Sequence, residues 1–347
     1  MSTVLRGADA LGEWDQFVAR AGLDAGFLQT RAWAEIDAAA NRAEPMVVEV
    51  RDPGGVLRAG ALVTVRADPS GRAGPTVTCG DGPVFPDGDA EQLDATLSGI
   101  DEIASASGAV AVRLRGLPAA GGRADDEAFV AVFAAHGYQP TRWATALVDL
   151  KQDEETLSAG LHRSTRKAIR RAESAGVEVL ECSTRKEFLE AFVEPYGSWT
   201  DRDEAFVRQS LAMWDSDAER RYRFFVSVLE GRPIATLGTY RANGVATEIM
   251  SGRDPAAPPA VPGQDAVHWH AIRAHRQLGD DLFDLAGFNP TAGSAKEAGI
   301  RRFKQKWGAA EVAFVMYERV GQPTKLRRLG AALLGRARAL HASRRPS

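Results

Sequence analysis

The chain has 347 residues, of which 44% are hydrophobic and 26% charged, and its formal net charge at pH 7 is −3. This length exceeds the roughly 250 to 300 residues at which a single core stops growing, so we expect two domains, and the composition excludes a disordered chain. The two cysteines, Cys79 and Cys182, have no CxxC partner, which excludes a disulfide scaffold and a cysteine zinc site.

The first half of the chain predicts a hairpin followed by helices and strands. Two strand patterns flank a Pro-Gly-Gly turn, and a helix, a strand, a helix ending at a glycine and another strand follow. The predicted ranges are 46–51 and 57–66 for the hairpin, then 92–105, 109–116, 126–137 and 144–150.

The second half predicts the same succession after an additional basic helix. A three-stranded meander precedes a helix, a strand, a helix closed by a glycine and a final strand. The predicted ranges are 163–175 for the basic helix, then 223–229, 234–241 and 245–251, and then 264–277, 280–287, 297–308 and 311–318.

An internal repeat with a spacing of 171 residues relates these two halves. It predicts an α/β (α+β) protein with two tandem domains, each a mixed sheet flanked by helices. The layout of a meander followed by helices resembles a GNAT-type acyltransferase half, which implies two tandem GNAT-like acyltransferase domains. We place the first domain at residues 1–150, the second at 151–320 and a basic tail at 321–347. The alternative is one large α/β domain with chance similarity between its halves.

Polar residues that occur in only one copy of a repeat are candidates for function. At the repeat spacing, Asp284 corresponds to Arg113 and Lys304 to Phe133, so only the second copy has an acid on its strand and a lysine on the next helix. The alternatives are a buried carboxylate satisfied by backbone or arginine donors, and a surface cation on a helix.

Neither half contains a loop suited to coenzyme A. Enzymes of the GNAT type bind its pyrophosphate with backbone N–H groups of a glycine-rich loop that opens a helix. Here residues 254–264 contain four prolines, which lack that donor, and residues 85–92 are equally unsuitable. We therefore expect no cofactor, and no coenzyme A in particular.

Several motifs, in this order and spacing, resemble the Fem-type aminoacyl-tRNA-dependent transferases, which add amino acids to peptidoglycan precursor peptides. The matching segments span most of the chain. They are residues 27–30 with Trp33, similar to F-x-Q-[ST]-x-x-W; 82–84, similar to G-P-V; 283–287, similar to Y-D-x-x-G; and 299–304 with Gly308, similar to G-I-x-x-F-K-x-x-[FW]-G.

The resemblance implies a fold of two GNAT-like halves and aminoacyl-tRNA as co-substrate. It also implies that Lys304, in the Phe303-Lys304 pair, stabilises negative charge on the carbonyl oxygen of the ester when an amine attacks it. Asp284 would position Lys304 or take a proton from the attacking ammonium.

The same motifs suggest residues that bind substrate. Gln29 and Trp33 lie in the first motif, and Arg301 lies in the last. We expect these side chains near the acceptor, an amine-bearing peptidoglycan precursor or a small molecule.

Basic residues provide candidate contacts for phosphate. Arg163, Arg166 and Arg170 are spaced i, i+3 and i+7, so they share a helix face that suits the tRNA acceptor end or a precursor diphosphate. The alternative is an ordinary solvated face.

The C-terminal tail concentrates positive charge. Residues 321–347 carry seven cations and no acid, so the first 320 residues have a net charge of −10. We predict a helix at 326–342 that contacts an anionic membrane or tRNA, or folds back onto the body.

The sequence gives no support for a metal site, a signal peptide or a membrane span. His268 and His270 point apart on a helix and lack a third ligand, so we expect no metal. Residues 1–17 do not resemble a signal peptide, and no apolar run approaches the roughly 20 residues of a membrane span, so we expect a cytoplasmic protein.

The leading hypothesis is a tRNA-dependent aminoacyltransferase that forms an amide on a peptidoglycan precursor peptide. The same chemistry on a small-molecule amine of antibiotic or other secondary metabolism stays open, because residues 34–37 lack a lysine that the family often carries. A coenzyme A-dependent N-acyltransferase and a non-catalytic tandem domain that binds tRNA or precursor are the remaining alternatives.

Overall fold

A computed structural model of the protein describes most of the chain. The described residues are 2–6, 8–22, 26–68, 74–116, 126–202, 204–217, 219–291 and 293–320. The predicted tail helix at 326–342 lies outside them.

The first half alternates helices with antiparallel strands. Its elements are β1 (Ser2–Arg6), α1 (Ala8–Ala21), a 3-10 turn (Phe27–Gln29), α2 (Arg31–Asn41), β2 (Glu44–Arg51), β3 (Leu57–Arg66), β4 (Thr76–Cys79), α3 (Ala90–Ser107), β5 (Ala111–Arg115), α4 (Glu127–Ala135) and β6 (Gln139–Asp149).

The second half repeats this order with extra helices at its start. Its elements are α5 (Glu154–Gly160), α6 (Arg163–Ser174), β7 (Glu178–Glu181), α7 (Arg185–Glu187) continuing through a π-helical turn (Phe188–Val193) into α8 (Glu194–Thr200), α9 (Glu204–Asp215), β8 (Tyr222–Leu229), β9 (Arg232–Ala242), β10 (Val245–Arg253), α10 (Gly263–Gln277), β11 (Leu282–Phe288), α11 (Ala295–Gln305) and β12 (Ala310–Val320).

Local chemistry accounts for several of these boundaries. The turn between β9 and β10 has positive φ at both Asn243 and Gly244, the conformation that a two-residue hairpin of this twist requires and that Asn-Gly favours. Helix α11 begins at a capping box, in which Ser294 and Glu297 each bond to the backbone of the other.

The twelve strands among the described residues form one sheet, and the two halves exchange their last strands. The strand order is β1-β2-β3-β4-β5-β12-β6-β11-β10-β9-β8-β7. Strand β12 therefore completes the first half and β6 completes the second, and the two pair with each other along most of their length. The predicted domain boundary at residue 150 separates the two copies of the repeat along the chain. In the structure, strands from both copies belong to one continuous sheet.

The predicted α/β class with mixed sheet and flanking helices is confirmed. Each half contains one parallel pair, β4–β5 and β10–β11, among antiparallel neighbours. In the first half, α3 packs Leu93, Leu97 and Ile100 against the sheet, and in the second half α10 packs Val267 and Ile272 in the same way.

A third apolar cluster joins the two halves. Phe27 and Ile36 of the first half pack in one cluster with Phe192 and Tyr240 of the second, and the rings of Phe27 and Tyr240 lie 4.4 Å apart between centroids. Because each half supplies part of this core, the surface between them has a defined shape.

Candidate active site

A cleft forms where two neighbouring strands of the second half separate. Strands β10 and β11 run parallel over three residue pairs, the last of which is Thr247 opposite Asp284. Beyond this pair, β10 stays paired with β9 through a bulge between Glu248 and Met250. Strand β11 stays paired with β6 through an irregularity between Asp284 and Gly287. The open end exposes bulged backbone on both sides of the cleft.

A cavity of about 540 Å³ occupies this cleft and reaches the interface between the halves. Its wall combines aromatic and apolar side chains with polar ones from both halves. The lining includes Phe27, Trp33, Arg115, Tyr196, Arg202, Glu248 and Ala286.

Lys304 holds the bulge of β11 in place. Its side chain is buried, and its ammonium donates to the carbonyl oxygens of Leu285, Ala286 (2.8 Å) and Gly287 (3.1 Å). A lysine has three N–H donors, so these bonds use all of them. Ala286 adopts φ +64°, which a residue with a Cβ rarely occupies, and the ammonium holds the carbonyls on either side of it.

Asp284 lies beside the bulge that Lys304 holds and is also buried. Its carboxylate accepts a hydrogen bond from the Thr145 hydroxyl of β6 and another from the Ala286 N–H (2.8 Å). Burial raises the pKa of Asp284, against the lowering effect of these two bonds. Burial lowers the pKa of Lys304, opposed by the nearby carboxylates of Glu248 and Asp284.

The first half contributes a cation to the cavity. Arg115, at the end of β5, has its guanidinium 5.5 Å from the centroid of the Phe314 ring and 3.6 Å from the Asp81 carboxylate. Its side chain is 27% exposed, so this charge faces the cavity more directly than the ammonium of Lys304.

Glu248 faces the same cavity from the bulge of β10. Its carboxylate lies 3.3 Å from Nε2 of His268, and Nδ1 of that histidine lies 2.7 Å from the carbonyl oxygen of Gln264. The imidazole is fully buried between the rings of Phe303 and Trp307, at centroid distances of 4.9 and 5.5 Å.

The structure separates the predicted catalytic residues into different positions. Lys304 and Asp284 lie together behind Ala286, whereas Phe303 packs on the ring of His268 and does not line the cavity. All three donors of Lys304 are bonded to backbone carbonyls in this conformation, and its stabilisation of charge on the ester carbonyl oxygen stays a prediction.

The predicted substrate residues of the first motif also differ from each other. Trp33 lines the cavity and meets Phe27 edge to face at 5.4 Å. Gln29 is completely buried, and its side-chain amide bonds to the backbone of Leu62 and Gly80. Gln29 therefore anchors the start of the cavity wall and offers no group to a ligand.

Most of the predicted basic residues lie away from the cavity. Arg163 and Arg170 are exposed on α6, whose buried side packs on α10. The guanidinium of Arg166 turns back onto backbone carbonyls of the preceding segment, including Ala159 at 2.8 Å. Arg301 donates to the Pro290 carbonyl at 2.8 Å, so Arg166 and Arg301 stabilise loops.

The proline-rich loop before α10 uses its own backbone donors. Helix α10 follows Pro262, which supplies no side-chain cap. Within the loop, the N–H groups that donate to other loop atoms are those of Ala256, Ala257, Val261 and Gly263.

Sequence reasoning missed Glu248, His268, Arg115 and Thr145. Thr145 lies on β6, which the exchange places next to β11, whereas Arg115 lies on β5, which β12 and β6 separate from β11. For His268 the available signal was its spacing of four from Gln264 on a helix, which is common and marks no site by itself.

Comparison with known proteins supports this architecture. A family model described as an acetyltransferase (GNAT) domain matches residues 160–305. The solved structure of FemX has 14% identity and a TM-score of 0.68, covering 90% of this chain and 96% of its own. A tandem GNAT protein from the clavulanic acid biosynthesis pathway has 14% identity and a TM-score of 0.59, covering 93% of this chain and 100% of its own.

The fold is a tandem GNAT fold. A third structure shares it: the C-terminal domain of a protein from Agrobacterium fabrum described as a lysylphosphatidylglycerol synthetase, with 14% identity, a TM-score of 0.55, and coverage of 94% of this chain and 96% of its own. At this identity the likeness to FemX is one of fold. The domain match extends over most of the second half of the chain. No curated sequence matches the chain.

None of the helices among the described residues combines the length and apolar character needed to cross a bilayer. Nor do three or more His, Cys, Asp or Glu side chains among them converge as a metal site.

Proposed function

We propose that this protein transfers an aminoacyl group from a charged tRNA to an amine-bearing acceptor and forms an amide bond. The observation that carries the proposal is the second-half cleft, where a bulged strand held by the buried Lys304 ammonium opens into a cavity formed by both halves. The motif resemblance to Fem-type transferases supports the tRNA donor.

The charges around the cleft suit attack of an amine on an ester. Negative charge develops on the ester carbonyl oxygen, and fixed positive charge in a partly dry site stabilises it. Arg115 faces the cavity directly, and the Lys304 ammonium lies behind Ala286 and acts through its field and through the shape of the bulge. Lys304 is thus a positioning residue in this proposal.

The loop before α10 supports a donor other than coenzyme A. A pyrophosphate needs free backbone N–H groups at a helix N-terminus, and four of the donors of this loop are bonded within it. The opposing observation is the domain match itself, described as an acetyltransferase, so acyl-coenzyme A is the donor to test beside charged tRNA.

The acceptor is proposed to be a peptidoglycan precursor peptide, with a small-molecule amine as the second candidate. The aromatic lining from Phe27, Trp33, Tyr196 and Phe206 favours an acceptor with an apolar part. The exposed cations Arg163 and Arg170 are proposed to meet tRNA phosphates at the edge of the protein.

The test is transfer of radiolabelled amino acids from charged tRNAs to a panel of precursor peptides and small amines, beside transfer from labelled acetyl-coenzyme A. Product that depends on intact charged tRNA and disappears after ribonuclease treatment supports the proposal. Transfer from acetyl-coenzyme A alone would replace it with the N-acyltransferase alternative.

A matched pair of variants links this activity to the cavity. Arg115→Gln removes one of the two arginines that line it, the other being Arg202, and we expect a loss of kcat on the order of 100-fold, as for other groups that stabilise an oxyanion. Arg113→Gln changes an exposed arginine on the same strand, paired with Glu318, and should leave kcat unchanged. Equal activity of the two variants would remove Arg115 from the mechanism.

A further inference from the structure

The contact between Glu248 and His268 connects a cavity-facing carboxylate to a fully buried imidazole. The Glu248 side chain is 13% exposed and that of His268 is 0% exposed. Glu248 comes from the bulge of β10, and His268 comes from the helix behind the sheet, so the pair spans the wall of the cavity.

The hydrogen-bond partners of His268 determine where its protons lie. Nδ1 is 2.7 Å from the Gln264 carbonyl oxygen, and a carbonyl can only accept, so Nδ1 carries a proton. The side-chain amide nitrogen of Gln264 lies farther from Nδ1, at 3.5 Å, and donates to the Ser251 hydroxyl oxygen at 2.6 Å. The neutral form of this imidazole therefore has its lone pair on Nε2.

That lone pair faces another acceptor. Nε2 is 3.3 Å from Oε2 of Glu248, and an ionised carboxylate has no proton to donate. Without an additional proton, two lone pairs face each other inside the protein. One proton shared by the Glu248–His268 pair converts this contact into a hydrogen bond, so the pair is built to accept a proton.

The surroundings of the pair hold its geometry. Phe303 and Trp307 enclose the imidazole. Among the described residues, the arginines Arg115 and Arg202 line the same cavity as Glu248. The Lys304 ammonium lies near the carboxylates of Glu248 and Asp284, and the Lys306 ammonium lies 4.1 Å from the centroid of the Phe303 ring and pairs with Asp265 at 2.6 Å.

We propose that Glu248 is the general base that takes the proton from the acceptor ammonium, and that His268 is the positioning residue that shares this proton. The inference rests on the proposed amide-forming function but holds for either donor. It gives a role to the Phe303 position as well, because this ring fixes the imidazole.

The proton balance of the step is complete. The acceptor R–NH₃⁺ gives one proton to the carboxylate of Glu248, and the freed nitrogen lone pair forms the C–N bond to the ester carbonyl carbon. As the C–O bond breaks, a second proton leaves the nitrogen and ends on the departing hydroxyl oxygen of the donor. The proton held by the pair then passes to water in the cavity.

Kinetics of two isosteric variants test the catalytic part. Glu248→Gln keeps the shape and removes the base, so we expect kcat to fall about 100- to 1000-fold, with an unchanged KM for the donor. The rise of kcat with pH on the acid side should disappear in this variant. His268→Gln should lower kcat by about tenfold and shift that rise. The controls are Glu178→Gln, at an exposed carboxylate on β7, and His270→Gln, two residues along α10.

A measurement on the protein without any substrate separates this inference from the proposed donor. Nitrogen-15 spectra of the histidine rings, with His268→Gln for assignment, should show Nδ1 of His268 protonated throughout and the protonation of its ring coupled to Glu248. A neutral ring protonated only at Nε2 would overturn the inference, as would Glu248→Gln with kcat within threefold of the wild type. Transfer from acyl-coenzyme A without transfer from charged tRNA would overturn the tRNA proposal. The role of Glu248 would then be tested by the kcat of Glu248→Gln with acyl-coenzyme A as donor.

Discussion

Replacing Lys304 with methionine tests whether the ammonium maintains the bulge of β11. The variant keeps a flexible chain of similar length and removes the donor to the carbonyls of Leu285, Ala286 and Gly287. A hydrogen bond to a charged group contributes about 1.5 to 3 kcal/mol, but unfolding also rehydrates the ammonium. We therefore expect the free energy of unfolding to fall by about 3 to 5 kcal/mol, less than the sum of three such bonds.

The assay is urea denaturation followed by tryptophan fluorescence, with hydrogen exchange at the Ala286 amide as a local readout. That amide bonds to Asp284 at 2.8 Å, so its exchange should accelerate when the bulge loosens. Lys296→Met, on an exposed part of the same helix, should change the unfolding free energy by no more than about 0.5 kcal/mol. Equal stability of the two variants would refute the role given to Lys304.

A second substitution distinguishes the effect of backbone strain at Ala286 from the effect of losing the Lys304 ammonium. Because Ala286 has φ +64°, Ala286→Gly in the Lys304→Met background should restore about 1 kcal/mol by relieving the left-handed conformation. No recovery in the double variant would show that the loss lies in the unpaired carbonyls and not in the strained residue.

Two further predictions concern stability. Burial lowers the pKa of His275 below its ordinary value near 6.5, against the raising effect of Asp280. The stability that this group contributes is therefore complete above pH 6.5 and is lost as pH falls through the folded-state pKa. The free energies of unfolding at pH 7.5 and 5.5 should differ by up to about 1.4 kcal/mol per pH unit from this group, and His275→Gln should reduce the difference. Gly252→Ala would place a Cβ 2.6 Å from the Tyr196 ring and should cost about 1 to 3 kcal/mol in urea denaturation, whereas Gly299→Ala, with open space on α11, should stabilise by about 0.5 to 1 kcal/mol.

The secondary structure and the repeat were accessible to sequence reasoning because they depend on local patterns. Alternating apolar residues, turn dipeptides such as Asn243-Gly244 and glycines after helices mark elements that the structure places within a few residues of the predicted bounds. The exchange of β6 and β12 was not accessible, because the partner of a strand depends on residues far away in the chain. Without the exchange, Thr145 would not reach Asp284.

The candidate site was accessible only in part for a similar reason. Comparison of the two copies identified Asp284 and Lys304, but nothing in the sequence shows that Ala286 adopts a positive φ or that three carbonyls surround the ammonium. Gln29 illustrates the opposite case. Its motif suggested a ligand contact, and in the structure its buried side-chain amide bonds to the backbone N–H and carbonyl of Leu62 on β3.

Comparison of the two halves explains why the cleft lies in the second. At the repeat spacing, Lys304 corresponds to Phe133, which stacks on Tyr317 of β12 at 3.6 Å between ring centroids. Strand β5 pairs with β12 in unbroken register, whereas β11, with an ammonium in place of that ring, pairs with β6 through an irregularity.

The same substitution of polar for apolar residues extends to the proposed base. His268 corresponds to the buried Leu97 at the repeat spacing, and the position on β4 that matches Glu248 in strand register is the buried Cys79. Strands β4 and β5 stay paired through Cys79, one residue beyond the point where β10 and β11 part. One copy thus keeps a closed, apolar sheet as a scaffold, and in the other a lysine, a glutamate and a histidine at the corresponding positions open the sheet into a cleft.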